Sequence, residues 1–156
     1  MKVQFWVIGK TTDAYLVPGI NDYQNRLKRY CNFEYIEFPS AKIGKNAIGR
    51  EVKIKEEKAV LEKLQKNDFL VLLDERGQEH SSNNFASFLS SHQMRGTKNL
   101  VFLIGGAYGF STKIYDRANY KFALSKMTFT HQIVRLIFTE QLYRAFTITK
   151  GEKYHH

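Results

Sequence analysis

Three segments combine residue types that could bind a ligand or move a proton, and each follows an apolar stretch. Asp74–Gly77 (DERG) comes directly after Phe69–Leu73, and Gly105–Gly109 (GGAYG) follows Leu100–Ile104. The third segment, Leu124–His131, mixes apolar, hydroxyl and basic side chains. Glycine lets a ligand approach the backbone closely, and apolar walls with a few fixed polar groups are typical of small-molecule sites. The third segment in particular would suit an adenosine.

Each segment also has a less functional interpretation. Asp and Gly favour turns, so Asp74–Gly77 on its own is an ordinary turn after a strand. Leu124–His131 could be a plain connection in which Thr130 caps the next helix. The glycine spacing is GGxxG rather than GxGxxG, and Phe129 stands where a dinucleotide site has its acidic residue. This spacing disfavours a nicotinamide-dependent oxidoreductase. A phosphate loop is disfavoured as well, because no GK[ST] follows the glycines.

Hydrophobic periodicity predicts alternating strands and helices around these segments. Strands are predicted over Val3–Ile8, Phe33–Phe38, Phe69–Leu73, Leu100–Ile104 and Tyr120–Leu124. Helices are predicted over about 13–29, 46–65 and 81–94, over a short stretch after Ser111, and over 131–148. This alternation indicates one α/β domain over residues 1–156, built on a mostly parallel sheet. Ligands of such sheets bind outside the carboxyl ends of the strands, where the three segments lie.

The last predicted helix carries polar residues beside its apolar stripe. His131 and Arg135 are spaced i,i+4, as are Glu140 and Arg144, and both pairs are predicted off the buried stripe. Solvated surface pairs are the alternative to a functional role. The chain ends with an aromatic residue and two imidazoles at positions 154–156, which makes the tail a further candidate for chemistry.

The composition of the chain indicates which class of partner it binds and in which cellular compartment it works. The net charge of +9 favours a polyanionic partner such as nucleic acid, although an acidic membrane surface or a merely basic protein would fit too. Cys31 is the only cysteine, which excludes an intrachain disulfide and predicts a reducing, cytoplasmic setting. Without a cysteine pair or an H-x-x-x-H motif, no metal is expected. The apolar stretches are too short to cross a bilayer, and the N-terminus lacks a signal-peptide cleavage site.

At this point three blocks carry a resemblance to a known family. They are VLLDERG at 71–77, FLIGGAYGF at 102–110, and LSKMTFTHQIVRLIFTEQLYRAFTITKGEKYH at 124–155. The chain resembles the large-subunit (23S) ribosomal RNA methyltransferase H family, a small member of the SPOUT class, over its whole length. The last block is the most specific, because it joins EQLYRAF to a near-terminal YH.

The resemblance implies a SPOUT-type α/β knot, that is, a mostly parallel sheet with helices on both faces and a C-terminal trefoil knot. It implies a homodimer that uses S-adenosylmethionine, without a metal, to methylate N3 of a pseudouridine in 23S rRNA of the assembled 70S ribosome. Carried over by motif, the cofactor contacts are Leu73, Gly105, Leu124, Ser125, Lys126, Met127, Thr128 and Phe129. Many of these contacts would be made by backbone groups.

The catalytic residues are harder to assign. Methyl transfer requires the nitrogen in line with the departing sulfur, and a base must take the N3 proton. His131, Glu140 and His155 are candidates, and we favour His131 and the tail because histidine titrates near neutral pH. The residues predicted to hold the RNA backbone or to stack on a base are Arg135, Arg144 and Tyr154.

Three positions depart from the family pattern. Thr130 and Lys153 stand where proline is common, and His156 stands where a basic residue is frequent. None of these changes removes a group assigned to chemistry. The main alternative function is a noncatalytic ribosome- or RNA-binding protein on the same fold, which would keep the charge but would not need Gly105–Gly106 or Leu124–Phe129.

Overall fold

The computed structural model describes residues 1–40 and 49–154. Its strands are β1 (Lys2–Ile8), β2 (Asn32–Phe38), β3 (Phe69–Glu79), β4 (Asn99–Ile104) and β5 (Tyr120–Ala123). Its helices are α1 (Val17–Leu27), α2 (Gly49–Lys63), α3 (Ser82–Met94), α4 (Thr112–Arg117) and α5 (Ile133–Thr149). Ser81 and Ser111 cap α3 and α4 by accepting hydrogen bonds from the backbone N–H of Asn84 and Ile114.

The five strands form one sheet in the order β2-β1-β4-β3-β5, and every pairing is parallel. Because all strands point the same way, the segment after Leu73 in β3 and the segments that follow β4 and β5 meet at one edge. The predicted α/β class with a parallel sheet is therefore confirmed, and the sheet is more uniformly parallel than expected. The trefoil knot stays a prediction from the resemblance.

The two faces of the sheet are covered by different helices. One core joins α1, α3 and α5 to side chains such as Phe5, Phe102 and Phe122, all of which are buried. The other core joins α2 and α4 to Trp6 and Leu72. Helices on both faces explain why β4 is continuously apolar, since neither face of a central strand meets water.

Several boundaries differ from the sequence prediction by a few residues, and the two largest differences have clear physical reasons. Helix α1 begins at Val17 rather than near residue 13, because Pro18 suits the first helical turn and Asp13 instead closes a turn with the N–H of Leu16. Strand β3 runs on to Glu79 instead of ending at Leu73. Residues 46–48 of the second predicted helix lie outside the described residues.

The extension of β3 contains a bulge that matters for the site. Both Leu73 and Gln78 pair with Phe122 of β5, so the four residues between them are looped out of the ladder. Gly77 brings the strand back, and a Cβ on it would lie 2.6 Å from the Lys121 carbonyl carbon and the Phe122 nitrogen. Only glycine therefore fits where the bulge rejoins β5.

Candidate functional site

A cavity of about 450 Å³ lies at the carboxyl ends of β3, β4 and β5. We call it the strand-end pocket. Its walls are the β3 bulge 73–76, the loop after β4 at 104–110, and the segment 124–131 after β5, with Tyr115, Phe122 and Val134 between them. The volume lies in the range of small-molecule sites. The three segments singled out in the sequence thus form one site.

The bulge wall is held by a closed polar network. The Tyr115 hydroxyl donates a short hydrogen bond to Asp74 and accepts one of 2.8 Å from Arg76 Nη2. The other Asp74 oxygen accepts from the Arg76 backbone N–H at 2.8 Å. Burial acts to raise the pKa of Asp74, but the Tyr115 hydroxyl and Arg76 outweigh it, so that pKa lies below its ordinary value. The network fixes an ionised carboxylate at the pocket wall.

The glycines of the second wall serve the packing of the loop itself. A Cβ on Gly105 would lie 3.2 Å from the Gly109 carbonyl carbon, and one on Gly106 would lie 2.7 Å from Glu56 Oε2. Gly109 has φ of +72° and donates its N–H to the Gly106 carbonyl across a tight turn. The tight GGxxG spacing therefore reflects a compact turn at the end of β4 rather than a dinucleotide fingerprint.

The third wall is more open. Ser125 Oγ accepts from the Met127 N–H at 2.9 Å, and Thr128 donates to Glu75 Oε2 at 3.1 Å, which links this wall to the bulge. Met127 remains 76% exposed and Phe129 37% exposed. Large apolar side chains exposed at a pocket rim indicate a surface that a ligand would cover.

The expected cofactor contacts can now be placed. All of them except Lys126 line the strand-end pocket. The Lys126 side chain is 87% exposed, with Nζ 3.9 Å from Glu79, so this residue can contribute through its backbone but its ammonium does not line the cavity. Asp74 and Tyr115 line the pocket as well, although neither was among the site residues predicted from the sequence. The DERG motif pointed to the first, whereas nothing in the sequence pointed to Tyr115, because α4 brings it back across the sheet edge.

His131 and Tyr154, which were both predicted to take part in the chemistry, lie in different regions of the chain's structure. His131 is exposed at the pocket wall, and the Thr130 hydroxyl accepts from the Ile133 N–H at 3.3 Å just before α5. Tyr154 does not line the pocket of its own chain. His155, together with His156, lies outside the described residues, so its predicted role stays a prediction.

Tyr154 belongs instead to a group that we call the tail cluster. It consists of Tyr23, Tyr30, Glu140, Arg144, Glu152 and Tyr154. Glu140 Oε1 accepts from Arg144 Nη2 at 2.8 Å and from the Tyr154 hydroxyl at 3.1 Å. The Arg144 guanidinium lies over the Tyr154 ring, 4.9 Å from its centroid. The predicted Glu140–Arg144 pair is thus confirmed as a contact, and it is half-buried rather than solvated.

The tail itself is tied down by two further bonds. Tyr30 donates to Glu152 Oε2 at 2.6 Å, and the hydroxyls of Tyr23 and Tyr154 lie 3.1 Å apart. Burial, together with the Tyr23 bond, raises the pKa of Tyr154 above its ordinary value, which favours the neutral hydroxyl that donates to Glu140. The residues just before the C-terminus are therefore anchored on α1 and α5.

The prediction for Arg135 was wrong. We expected it at the surface beside His131, holding RNA, but its side chain is 0% exposed. Its guanidinium donates to the backbone carbonyls of Ile8, Gly9 and His131, at 2.8, 3.0 and 2.9 Å. The buried face of α5 is wider than its apolar residues alone suggested. It includes Arg135, because the carbonyls at the end of β1 accept hydrogen bonds from the buried guanidinium. Arg135 is therefore not available to bind RNA.

The described part of the chain offers neither a metal site nor a membrane-spanning helix. Within residues 1–40 and 49–154 no group of three or more His, Cys, Asp or Glu side chains is placed to hold a metal ion. No helix in these ranges combines the length and apolarity that a bilayer crossing requires.

The chain is similar to known proteins along its whole length. Residues 1–155 match the family described as "Predicted SPOUT methyltransferase". A protein of Cytophaga hutchinsonii named ribosomal RNA large subunit methyltransferase H is 53% identical over 100% of both chains. Proteins of the same name from Parabacteroides distasonis and Christiangramia forsetii are 49% and 48% identical, over 100% of this chain and 99% of each relative. With this extent of similarity and a pocket at the expected sheet edge, the chain belongs to the SPOUT methyltransferase family.

Proposed function

We propose that the protein methylates large-subunit ribosomal RNA with S-adenosylmethionine as the methyl donor, and that the target is N3 of a pseudouridine in 23S rRNA. One observation carries the proposal: the three segments of the family resemblance, distant in sequence, close one pocket of about 450 Å³ at the sheet edge. The name shared by relatives at 48–53% identity supports the RNA substrate. The net charge of +9 suits a polyanionic partner.

The pocket fits the chemistry of the cofactor. Leu73, Ile104 and Leu124 supply apolar walls for an adenine ring, and the backbone of 124–129 offers polar groups beside them. S-adenosylmethionine, when bound, supplies an electrophilic methyl group on a sulfonium. Asp74 and Glu75 place two carboxylates in the pocket wall beside the single guanidinium of Arg76, and this net negative charge is electrostatically favourable for a cationic donor.

The proton of the imide nitrogen needs an acceptor in reach. Glu140 is a poor candidate, because Arg144, Tyr154 and Gln141 Nε2 (2.6 Å) already occupy its carboxylate. His131, which is exposed at the pocket wall, and His155 in the tail therefore remain. The alignment of the target base is left to the RNA contacts, for which Arg144 and Tyr154 remain the proposed groups.

A homodimer would unite the two regions. Tyr154 lies in the tail cluster and not in the pocket of its own chain, although both regions are proposed to act on one substrate. A second copy that places its tail at the pocket rim resolves this separation, and a two-fold axis would complete both pockets at once. The proposed setting is the cytoplasm, where the assembled 70S ribosome would be the substrate.

The decisive experiment compares ribosomal RNA from a strain that lacks the gene with RNA from its parent. We expect mass spectrometry to show the methylated pseudouridine in the parent only, and purified protein plus S-adenosylmethionine should restore it on ribosomes of the deletion strain. A normal signal in the deletion strain would refute the assignment. If calorimetry detected no binding of S-adenosylmethionine to the protein, the noncatalytic RNA-binding alternative would be favoured instead.

The shared site has its own test. His155→Ala should lower turnover while S-adenosylmethionine affinity stays near wild type, and a variant of the strand-end pocket should lose that affinity. Mixed and re-annealed, the two inactive proteins should recover about a quarter of wild-type activity, since half the dimers are mixed and each has one intact site. No recovery, with mixed dimers shown by mass, would mean that each chain acts alone.

A further inference from the structure

Arg135 is a buried cation, and most of its guanidinium N–H groups donate hydrogen bonds to other groups of the chain. Besides the carbonyls of Ile8, Gly9 and His131, Nη1 donates to Thr11 Oγ1 at 3.0 Å. Glu37 is the nearest counter-charge, with Oε1 3.9 Å from Nη1. A charge that is 0% exposed is costly to bury unless it is fully hydrogen-bonded, so this arrangement demands a structural or functional reason.

The partners of Arg135 belong to two separate parts of the fold. Ile8 is the last residue of β1 and its last position paired with β2, and Gly9 and Thr11 lie in the loop after it. His131 ends the pocket segment that follows β5. The guanidinium therefore connects the loop after β1 to His131, two residues before α5 begins.

Gln132 makes the same connection from the next position in the chain. Its Oε1 accepts from the Thr12 N–H at 2.9 Å, and its Nε2 donates to the Lys10 carbonyl at 3.2 Å. Glu37 holds the loop from the other side by accepting from the Thr11 N–H and hydroxyl at 3.0 and 3.1 Å. Hydrogen bonds to side chains of both α5 and β2 thus hold residues 8–12 in place.

We propose that Arg135 is a positioning residue that sets the cofactor-binding geometry of the strand-end pocket without touching the cofactor. Its Nε bond to the His131 carbonyl fixes the end of the segment 124–131, which is the most open wall of the pocket. The loop after β1 acts as the rigid support for that wall. The inference rests on the proposed use of S-adenosylmethionine, which it deepens by naming what holds the site in shape.

The chemistry of arginine explains why this residue type is required. A planar fork of five N–H donors can serve three carbonyls and a hydroxyl in fixed directions at once. A lysine ammonium has only three donors on a single atom and cannot span acceptors that come from both β1 and the start of α5. Arg135→Lys should therefore keep the charge but lose the connection.

The test uses variants that separate positioning from plain stability. Arg135→Lys should bind S-adenosylmethionine at least tenfold more weakly in calorimetry, at a temperature where far-UV circular dichroism shows it folded. Leu27→Ala is the matched control, because it empties a fully buried position at the end of α1, at the opposite edge of the sheet. It should lose thermal stability yet keep wild-type affinity.

A milder pair covers the case in which Arg135→Lys fails to fold. Thr11→Val removes the hydroxyl that accepts from Arg135 while keeping the shape of the side chain, and Thr11→Ser keeps the hydroxyl. We expect affinity to fall severalfold in the valine variant and to stay near wild type in the serine variant. Equal affinity in the two variants would overturn the proposal, as would wild-type affinity in a folded Arg135→Lys protein.

A ligand-free measurement distinguishes failure of this inference from failure of the proposed function. The imidazole proton resonances of His131, assigned with His131→Gln, should shift in Thr11→Val but not in Thr11→Ser. If the wild-type protein bound no S-adenosylmethionine, the proposed function would fall and these resonances would still test the connection. If they were identical in both variants, the connection to the pocket wall would be refuted.

Discussion

The strand-end pocket and the tail cluster are built on different physical principles. The pocket is made of backbone turns at three strand ends, and its polar side chains mostly hold those turns in shape, as Asp74 does with Arg76 and Tyr115. The tail cluster lies on α1, α5 and the residues before the C-terminus instead of at strand ends. It is a set of interlocked side chains in which one carboxylate, Glu140, receives both a guanidinium and a phenol.

This difference indicates a division of labour along α5. Val134, in the first turn of α5, lines the pocket, and Glu140 lies roughly 9 Å further along the helix axis at 1.5 Å per residue. A cavity with a fixed outline suits a cofactor of constant shape, whereas the half-buried cation and ring of the tail cluster, Arg144 and Tyr154, are the groups proposed to contact RNA. Changes in the pocket should therefore affect cofactor affinity, and changes in the tail cluster should affect turnover on RNA.

The largest effect is expected from Gly77→Ala, which should distort the strand-end pocket and leave the tail cluster intact. The added Cβ would lie 2.6 Å from the β5 backbone, so the bulge must move. We expect the free energy of unfolding in urea to fall by about 2–4 kcal/mol and cofactor affinity in calorimetry to fall more than tenfold. Gly96→Ala is the control: it strains a residue at φ +72° with nothing within 4 Å, and affinity should survive.

Asp74→Asn should weaken the pocket without moving its backbone far. The amide loses the charge that holds Arg76, so we expect about 1–2 kcal/mol of stability to be lost and cofactor affinity to fall. Because the folded pKa of Asp74 lies below its ordinary 3.8, its contribution is present above that pH and is lost as pH falls through the folded pKa. The acid limb of the wild-type stability curve should therefore flatten in the variant.

The exposed Asp116, which lies on the same short helix as Tyr115, provides the control for charge alone. Asp116→Asn should leave both affinity and the acid limb near wild type. If the two aspartate variants behaved alike, the network around Asp74 would have no special part in the pocket.

Glu140→Gln tests the tail cluster. It removes the carboxylate shared by Arg144 and Tyr154, and we expect methyl transfer to ribosomes to fall about tenfold, which corresponds to roughly 1.4 kcal/mol. Cofactor affinity should not change, because Glu140 does not line the pocket. Glu62→Gln, which loses only an exposed pair with Lys58 at 3.8 Å, should be silent in both assays. Reduced cofactor affinity in Glu140→Gln would contradict the division of labour.

The smallest effect concerns His92, which belongs to neither region. Burial, aided by Arg95, lowers its pKa below the ordinary value of 6.5. The unfolded chain therefore binds more protons near that pH, and stability should decline as pH falls below about 6.5. His92→Gln should flatten this decline by under about 1 kcal/mol in urea titrations between pH 7.5 and 5.5. Turnover and cofactor affinity at pH 7.5 should stay at wild-type level.

Much of the fold was readable because local patterns were strong. Continuous apolar stretches such as Leu100–Ile104 mark strands covered on both faces, and capping serines such as Ser81 mark where helices begin. Since parallel strands end at one edge, the sequence also predicted that the segments after β3, β4 and β5 would share a site. These features depend on short stretches of chain, and for that reason a single sequence contains them.

Only the tertiary structure decided the rest. Tyr115 reaches the pocket through the crossover of α4, and Arg135 is buried because the carbonyls of Ile8 and Gly9 lie beside it. Both contacts join residues far apart in the chain, so no local spacing encodes them. Whether a charged side chain meets solvent or a fixed set of acceptors is determined by what packs over it, and that is a property of the folded protein.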